Sequence, residues 1–138
     1  MPRKTVFSLI ALVFATLLLA PTSTALAGNN DHRVKTRLSG TSLMSGSAKY
    51  RERTKKGTIE QRFSVQVEDG VPGAILNVDI NGQMLGIIVL DDLGFGELQF
   101  RSAVFIDDPG DGEPIPTGFP KVLAGDLITV GDMTGVFN

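Results

Sequence analysis

From residue 34 onward, apolar and polar side chains alternate with a period of two, and no stretch carries a helical stripe. Val34, Thr36 and Leu38 alternate with Arg33, Lys35 and Arg37. Ala48, Tyr50, Glu52 and Thr54 alternate with Lys49, Arg51 and Arg53. After a turn at Lys55-Lys56-Gly57, Ile59, Gln61, Phe63, Val65 and Val67 point one way, while Glu60, Arg62, Ser64, Gln66 and Glu68 point the other. Asp69-Gly70-Val71-Pro72-Gly73 interrupts the rhythm, which resumes at Ala74, Leu76, Val78 and Ile80. Asn81-Gly82 is a strong hairpin signal, because both residues tolerate the positive φ of a tight turn. The spacing predicts return strands at Leu85–Val89 and at Phe95–Phe100 continuing toward Ile106. A loop rich in Asp, Gly and Pro follows at 107–120, and then short strands at Val122-Leu123, 127–130 and 134–137. Seven to nine short strands predict an all-β fold, a small antiparallel β-sandwich or open barrel with one wet face.

The order Gly46-x-Ala48-x-Tyr50, Phe63-x-Val65-x-Val67, Val78-x-Ile80-Asn81-Gly82, Asp92-x-Gly94-x-Gly96-x-Leu98 and Gly125-Asp126-x-Ile128-x-Val130-Gly131 resembles small uncharacterised secreted all-β modules of environmental bacteria. The resemblance runs along most of the chain after residue 27. It implies export and an all-β fold, and it brings no active site with it.

The first 27 residues have a different logic. Arg3 and Lys4 precede an uncharged, mostly apolar run from Val6 to Ala20, and Ala25-Leu26-Ala27 offers small residues where a signal peptidase needs them. The run is shorter than the roughly 20 apolar residues that cross a bilayer. Residues 1–27 are therefore expected to be a cleaved signal peptide, residues 28–33 a flexible leader, and residues 34–138 a single β-sandwich-like domain with no transmembrane span. The expected location is periplasmic, cell-surface or extracellular. There is no cysteine, so neither a disulfide nor a lipid-modified thiol is available.

Charge is unevenly distributed. Residues 28–62 carry nine Lys and Arg against three acids, whereas residues 63–138 carry two against twelve. Such halves ordinarily neutralise each other across neighbouring strands. If the first two strands pair, Lys49, Arg51 and Arg53 join Arg33, Lys35 and Arg37 in a basic stripe suited to phosphate or an acidic polymer. The chain has no tryptophan and one tyrosine, which argues against a nucleic-acid partner whose bases need aromatic platforms.

Two further surfaces stand out. Asp107, Asp108, Asp111 and Glu113 place four carboxylates on a glycine-flexible loop, a candidate calcium site, although the spacing fails the helix-loop-helix calcium pattern. In the hairpin register with Ile80 facing Gln83, Val78 facing Leu85 and Leu76 facing Ile87, the opposite face gathers Ile75, Met84, Ile88 and Leu90. That face is either covered within the domain or is a protein-contact patch.

Catalysis has little to work with. His32 is the only histidine and falls in the expected leader, no cysteine nucleophile exists, and the acidic residues of 107–113 share one loop. The expectation is an exported non-enzymatic binding or structural module acting through protein–protein contacts or self-association. The alternative is a calcium- or ligand-binding module using the acidic loop, and a hydrolase comes last.

Overall fold

A computed structural model describes residues 30–138. The expected signal peptide and the start of the leader lie outside the described residues. The described residues form an all-β sandwich of nine strands: β1 (His32–Leu38), β2 (Ser45–Lys55), β3 (Thr58–Glu68), β4 (Ile75–Ile80), β5 (Gln83–Val89), β6 (Gly96–Arg101), β7 (Glu113–Pro114), β8 (Leu127–Val130) and β9 (Met133–Val136). One sheet has the order β1-β2-β3-β6-β7 and the other β5-β4-β8-β9, with every pairing antiparallel except β6 with β7. Among the described residues no helix is long and apolar enough to cross a membrane.

The alternation decides which side chains meet between the sheets. Val34, Ala48, Tyr50, Phe63, Val65, Val67, Leu98 and Phe100 point inward from the five-stranded sheet, and Leu76, Val78, Ile80, Ile88, Ile128, Val130 and Met133 from the other. Burying each large aliphatic or aromatic side chain favours folding by about 1.5–3 kcal/mol, so this inner layer supplies the principal driving force. Ile59 has inward parity yet is 60% exposed, and its partner Thr54 is exposed too, because the β2–β3 hairpin runs past the core. That hairpin turns through Lys56 and Gly57, both at positive φ, as the primed two-residue turn requires.

The expected strand at Val122-Leu123 does not form. Val122 is fully buried in an irregular segment, and Ile115 and Phe119 of the same connection also pack on the core. Phe119 lies 5.2 Å from the Phe63 ring and 5.9 Å from Phe100, so part of the Pro-rich loop closes the open end of the sandwich. The strand expected to continue to Ile106 ends at Arg101 and gives way to a 3₁₀ turn at Ala103–Phe105. β1 begins at His32, two residues earlier than the expected domain start.

The outer edges of β1 and β9 close on each other. Ser39 and Thr134 exchange two backbone hydrogen bonds at 3.2 and 2.9 Å, and Lys35 and Asn138 exchange two more at 3.2 and 3.0 Å.

Candidate functional site

Side chains of opposite parity to the core cover the outer face of the five-stranded sheet. Register then stacks them in rows. Arg33 on β1 faces Arg51 on β2, which faces Arg62 on β3, which faces Arg101 on β6. The adjacent row is Lys35, Lys49, Ser64 and Gln99, and the next is Arg37, Ser47, Gln66 and Glu97. The basic stripe expected from Lys49, Arg51 and Arg53 is thus brought onto one surface with Arg33, Lys35 and Arg37. Sequence reasoning missed its extension to Arg62 and Arg101, whose outward parity was visible but whose neighbours were not. The basic half does not neutralise itself against the acidic half across strands, because β1, β2 and β3 pair with one another.

Glu68 and Glu97 also stand on this face, and three carboxylates are paired with its arginines. Asp31 bridges two members of the row, accepting from Arg33 Nη2 at 2.6 Å and from Arg51 Nε at 2.9 Å. Those two hydrogen bonds hold its carboxyl far below the usual carboxylate range. Glu60 is completely buried under arginines, with Arg53 Nη2 at 3.2 Å, Arg101 Nη2 at 3.5 Å and Arg62 Nε also in contact. Burial pushes the Glu60 carboxyl up, but the hydrogen bonds and charges of Arg62 and Arg53 outweigh it, and the net shift is downward. Asp111 reaches Arg101 Nη1 at 3.4 Å. Among the described residues no acid lies within ion-pair distance of Lys35, Arg37 or Lys49, and residues 1–29 contain none.

The surface is dimpled. A hollow of about 260 Å³ is lined by Arg62, Ser64, Gln99, Arg101, Gly110 and Asp111. Another of about 380 Å³ is lined in part by Arg33, Lys35, Lys49, Arg51 and Asn138.

The acidic loop is organised around its own backbone. Asp111 accepts hydrogen bonds from the Asp107 and Asp108 amides at 3.0 and 3.1 Å across a 3₁₀ turn at Pro109–Asp111. These amides, more than Arg101, lower its pKa. Among the described residues no three acidic or histidine side chains converge as a cation cage, Asp107, Asp108, Asp111 and Glu113 included.

The expected apolar patch needs correction. Ile75 and Met84 are exposed at 66% and 58%, but Ile88 and Leu90 are buried at 1% and 2%. The cause is a bulge between Val78 and Asp79: Asp79 faces Met84, whereas Val78 faces Gly86, so Leu85 is an extra residue on β5. One inserted residue exchanges the two faces of everything beyond it. Ile87 and Val89 therefore take the outward places, and Ile88 joins the core opposite Leu76. Leu85, expected inward opposite Val78, is half-buried against the core edge.

His32 is also relocated. Rather than a mobile leader, it occupies β1, with Nε2 2.7 Å from the Val122 carbonyl and its ring edge-on to Tyr50 at 6.1 Å. The Tyr50 hydroxyl donates to Glu52 at 2.9 Å and accepts from Gln61 Nε2 at 2.8 Å, while Lys121 pairs with Glu52 at 3.4 Å. Tyr50 faces the core and Asp111 the outer surface, so the sheet separates this polar cluster from the acidic loop. A hydrolytic arrangement joining loop carboxylates to Tyr50 or His32 is not formed. No protein family, curated protein or solved structure matches the chain.

Proposed function

We propose that this chain is an exported, non-enzymatic binding module that holds an extended anionic polymer on the outer face of its five-stranded sheet. The in-register row Arg33–Arg51–Arg62–Arg101 carries the reading, flanked by Lys35, Lys49 and Arg37, which lack acidic partners among the described residues. Like charges directly opposite each other weaken a sheet. Lys35 opposite Lys49 is such a pair with no acidic partner among the described residues, and a ligand that neutralises it recovers that cost on binding. Neighbouring strands lie about 4.8 Å apart, so the row spans roughly 14 Å, which suits a linear polyanion better than a small solute. No aromatic residue stands on this face in β1, β2, β3 or β6, which favours an acidic polysaccharide or polyphosphate over nucleic acid.

The test is titration calorimetry with dextran sulfate at low and at physiological salt. The expected result is binding that weakens steeply with salt and is largely lost in the double variant Lys35→Glu, Lys49→Glu. Binding that is absent at low salt, or indifferent to those two changes, overturns the reading.

A second reading rests on β5. Its seven residues contain no charge and no proline, its outer edge is unpaired among the described residues, and it displays Met84, Ile87 and Val89. Natural edges are ordinarily blunted by charge or proline, as the β7 edge is by Pro114. This edge suits strand addition by a second copy of the chain. Light scattering across a concentration series tests it: a dimer that Ile87→Lys dissociates supports the reading, and a monomer throughout ends it.

A further inference from the structure

The proposed anionic ligand needs a place where at least one of its charged groups is held by geometry as well as by field. The strongest candidate is the hollow between Arg62 and Arg101. Arg101 lies at the end of the arginine row with its side chain 12% exposed. Its ion pairs to Asp111 and Glu60 are long, at 3.4 and 3.5 Å, and its buried Nε has no hydrogen-bond partner among the described residues. A guanidinium has five donors in a planar fork, and a buried donor left without a partner costs about 1–3 kcal/mol. Arg62 beside it uses Nε on Glu60, and its side chain is 43% exposed. Ser64 lies on the same wall, and Gln99 is tied to Glu97.

We infer that the hollow lined by Arg62, Ser64 and Arg101 is a subsite for a single oxyanion group of the polymer, a sulfate ester or a phosphate, and that the Asp111 carboxylate is a tethered competitor for it. This inference rests on the polyanion reading above and deepens it. Asp111 stands where an incoming oxyanion would stand: it touches Arg101, and it is carried on a short turn whose other bonds are to its own backbone. A ligand that displaces it exchanges one long ion pair for contacts with two guanidinium groups and a hydroxyl, the forked recognition that arginine performs best on sulfate and phosphate.

The experiment uses nitrogen–proton correlation spectra of the purified chain titrated with inorganic sulfate and, separately, inorganic phosphate, alongside dextran sulfate and polyphosphate affinities. The inference expects saturable shifts at the Arg101 Nε–H signal and at the Ser64 and Gln99 amides, with the preferred free ion naming the preferred polymer. Asp111→Asn keeps an oxygen to accept from the Asp107 and Asp108 amides while removing the charge, and it should tighten polymer binding by about fivefold. Ser64→Ala should weaken it by about fivefold. Dextran sulfate or polyphosphate binding that depends on Lys35 and Lys49 but is unmoved by Asp111→Asn and Ser64→Ala, with no saturable shift at Arg101, overturns the subsite and leaves the broader reading standing. Failure of both polymers to bind at all removes both.

Discussion

Arg51 and Arg62 stand directly opposite each other on neighbouring antiparallel strands, with Arg33 and Arg101 continuing the line on either side. Nothing about β-propensity calls for this arrangement. It persists because Asp31 pairs with Arg33 and Arg51 and Glu60 with Arg62 and Arg101, which leaves the cations that are unpaired among the described residues in the neighbouring rows, at Lys35, Lys49 and Arg37. The sheet is thus a scaffold whose core face is ordinary and whose outer face carries a concentrated charge.

Glu60 is the structural counterweight to that charge. Glu60→Gln leaves Arg53, Arg62 and Arg101 crowded around a neutral group, and unfolding in urea should show a loss of about 3 kcal/mol. The low end of the usual range applies because Arg53 and Arg62 reach solvent. A carboxyl whose folded pKa is depressed stabilises fully above its ordinary value of 4.5, and that contribution fades as pH falls through the folded value. Wild type should therefore lose stability more steeply than Glu60→Gln below about pH 4.5, and equal slopes would count against the ion cluster.

Tyr50 gives an optical readout, since it is the chain's single tyrosine. Desolvation, and secondarily the hydrogen bond to Glu52, push its hydroxyl from 10.0 up to about 12. A raised pKa contributes stability that is complete below pH 10 and is lost as pH climbs toward 12. Ultraviolet titration should show one tyrosinate transition near 12 in the native protein and one near 10 in denaturant. A native transition near 10 would mean the ring is not packed against the core.

Parity beyond the bulge can be tested with two adjacent substitutions. Ile87→Lys, on the outward side, should change stability by no more than about 0.5 kcal/mol. Ile88→Lys buries a charge against Leu76 and Gly96 and should prevent folding at ordinary temperature. Circular dichroism melts separate the two, and the reverse order would restore the unbulged hairpin.

Gly94 and Gly73 have nearly the same backbone, at φ 74° and 78°, but different surroundings. A Cβ at Gly94 would lie 2.1 Å from the Gly70 carbonyl oxygen, whereas one at Gly73 meets nothing within 4 Å. Gly73→Ala should cost about 1 kcal/mol of left-handed strain and Gly94→Ala clearly more, since two loops cross there. Comparable losses in denaturant titrations would show that conformation alone sets the cost.

What was legible in the chain follows the range of the interactions involved. Strands β1 to β6, the inward set Phe63, Val65 and Val67, and the turns at Lys56-Gly57 and Asn81-Gly82 are local and readable, whereas the Val122-Leu123 strand does not form and β7 falls in the expected loop. The first pair of the Asn81-Gly82 hairpin, Ile80 with Gln83, was readable for the same reason. The bulge three residues later was not, because one extra residue leaves no compositional mark, and Gly86 facing Leu98 and Phe100 is its only local trace. The arginine row depends on β3 meeting β6 across the intervening β4–β5 hairpin, a pairing that alternation cannot specify. Asp111 stands out in the sequence for its charge, but its partner Arg101 belongs to that same non-local pairing.

The clasp between the first and last strands has a temporal consequence. Lys35 and Ser39 have their backbone partners at Asn138 and Thr134, about a hundred residues downstream. A chain that folds while it is still being made cannot close this edge of the sandwich until residues 134–138 are free to lie back along β1, so the two sheets are joined late.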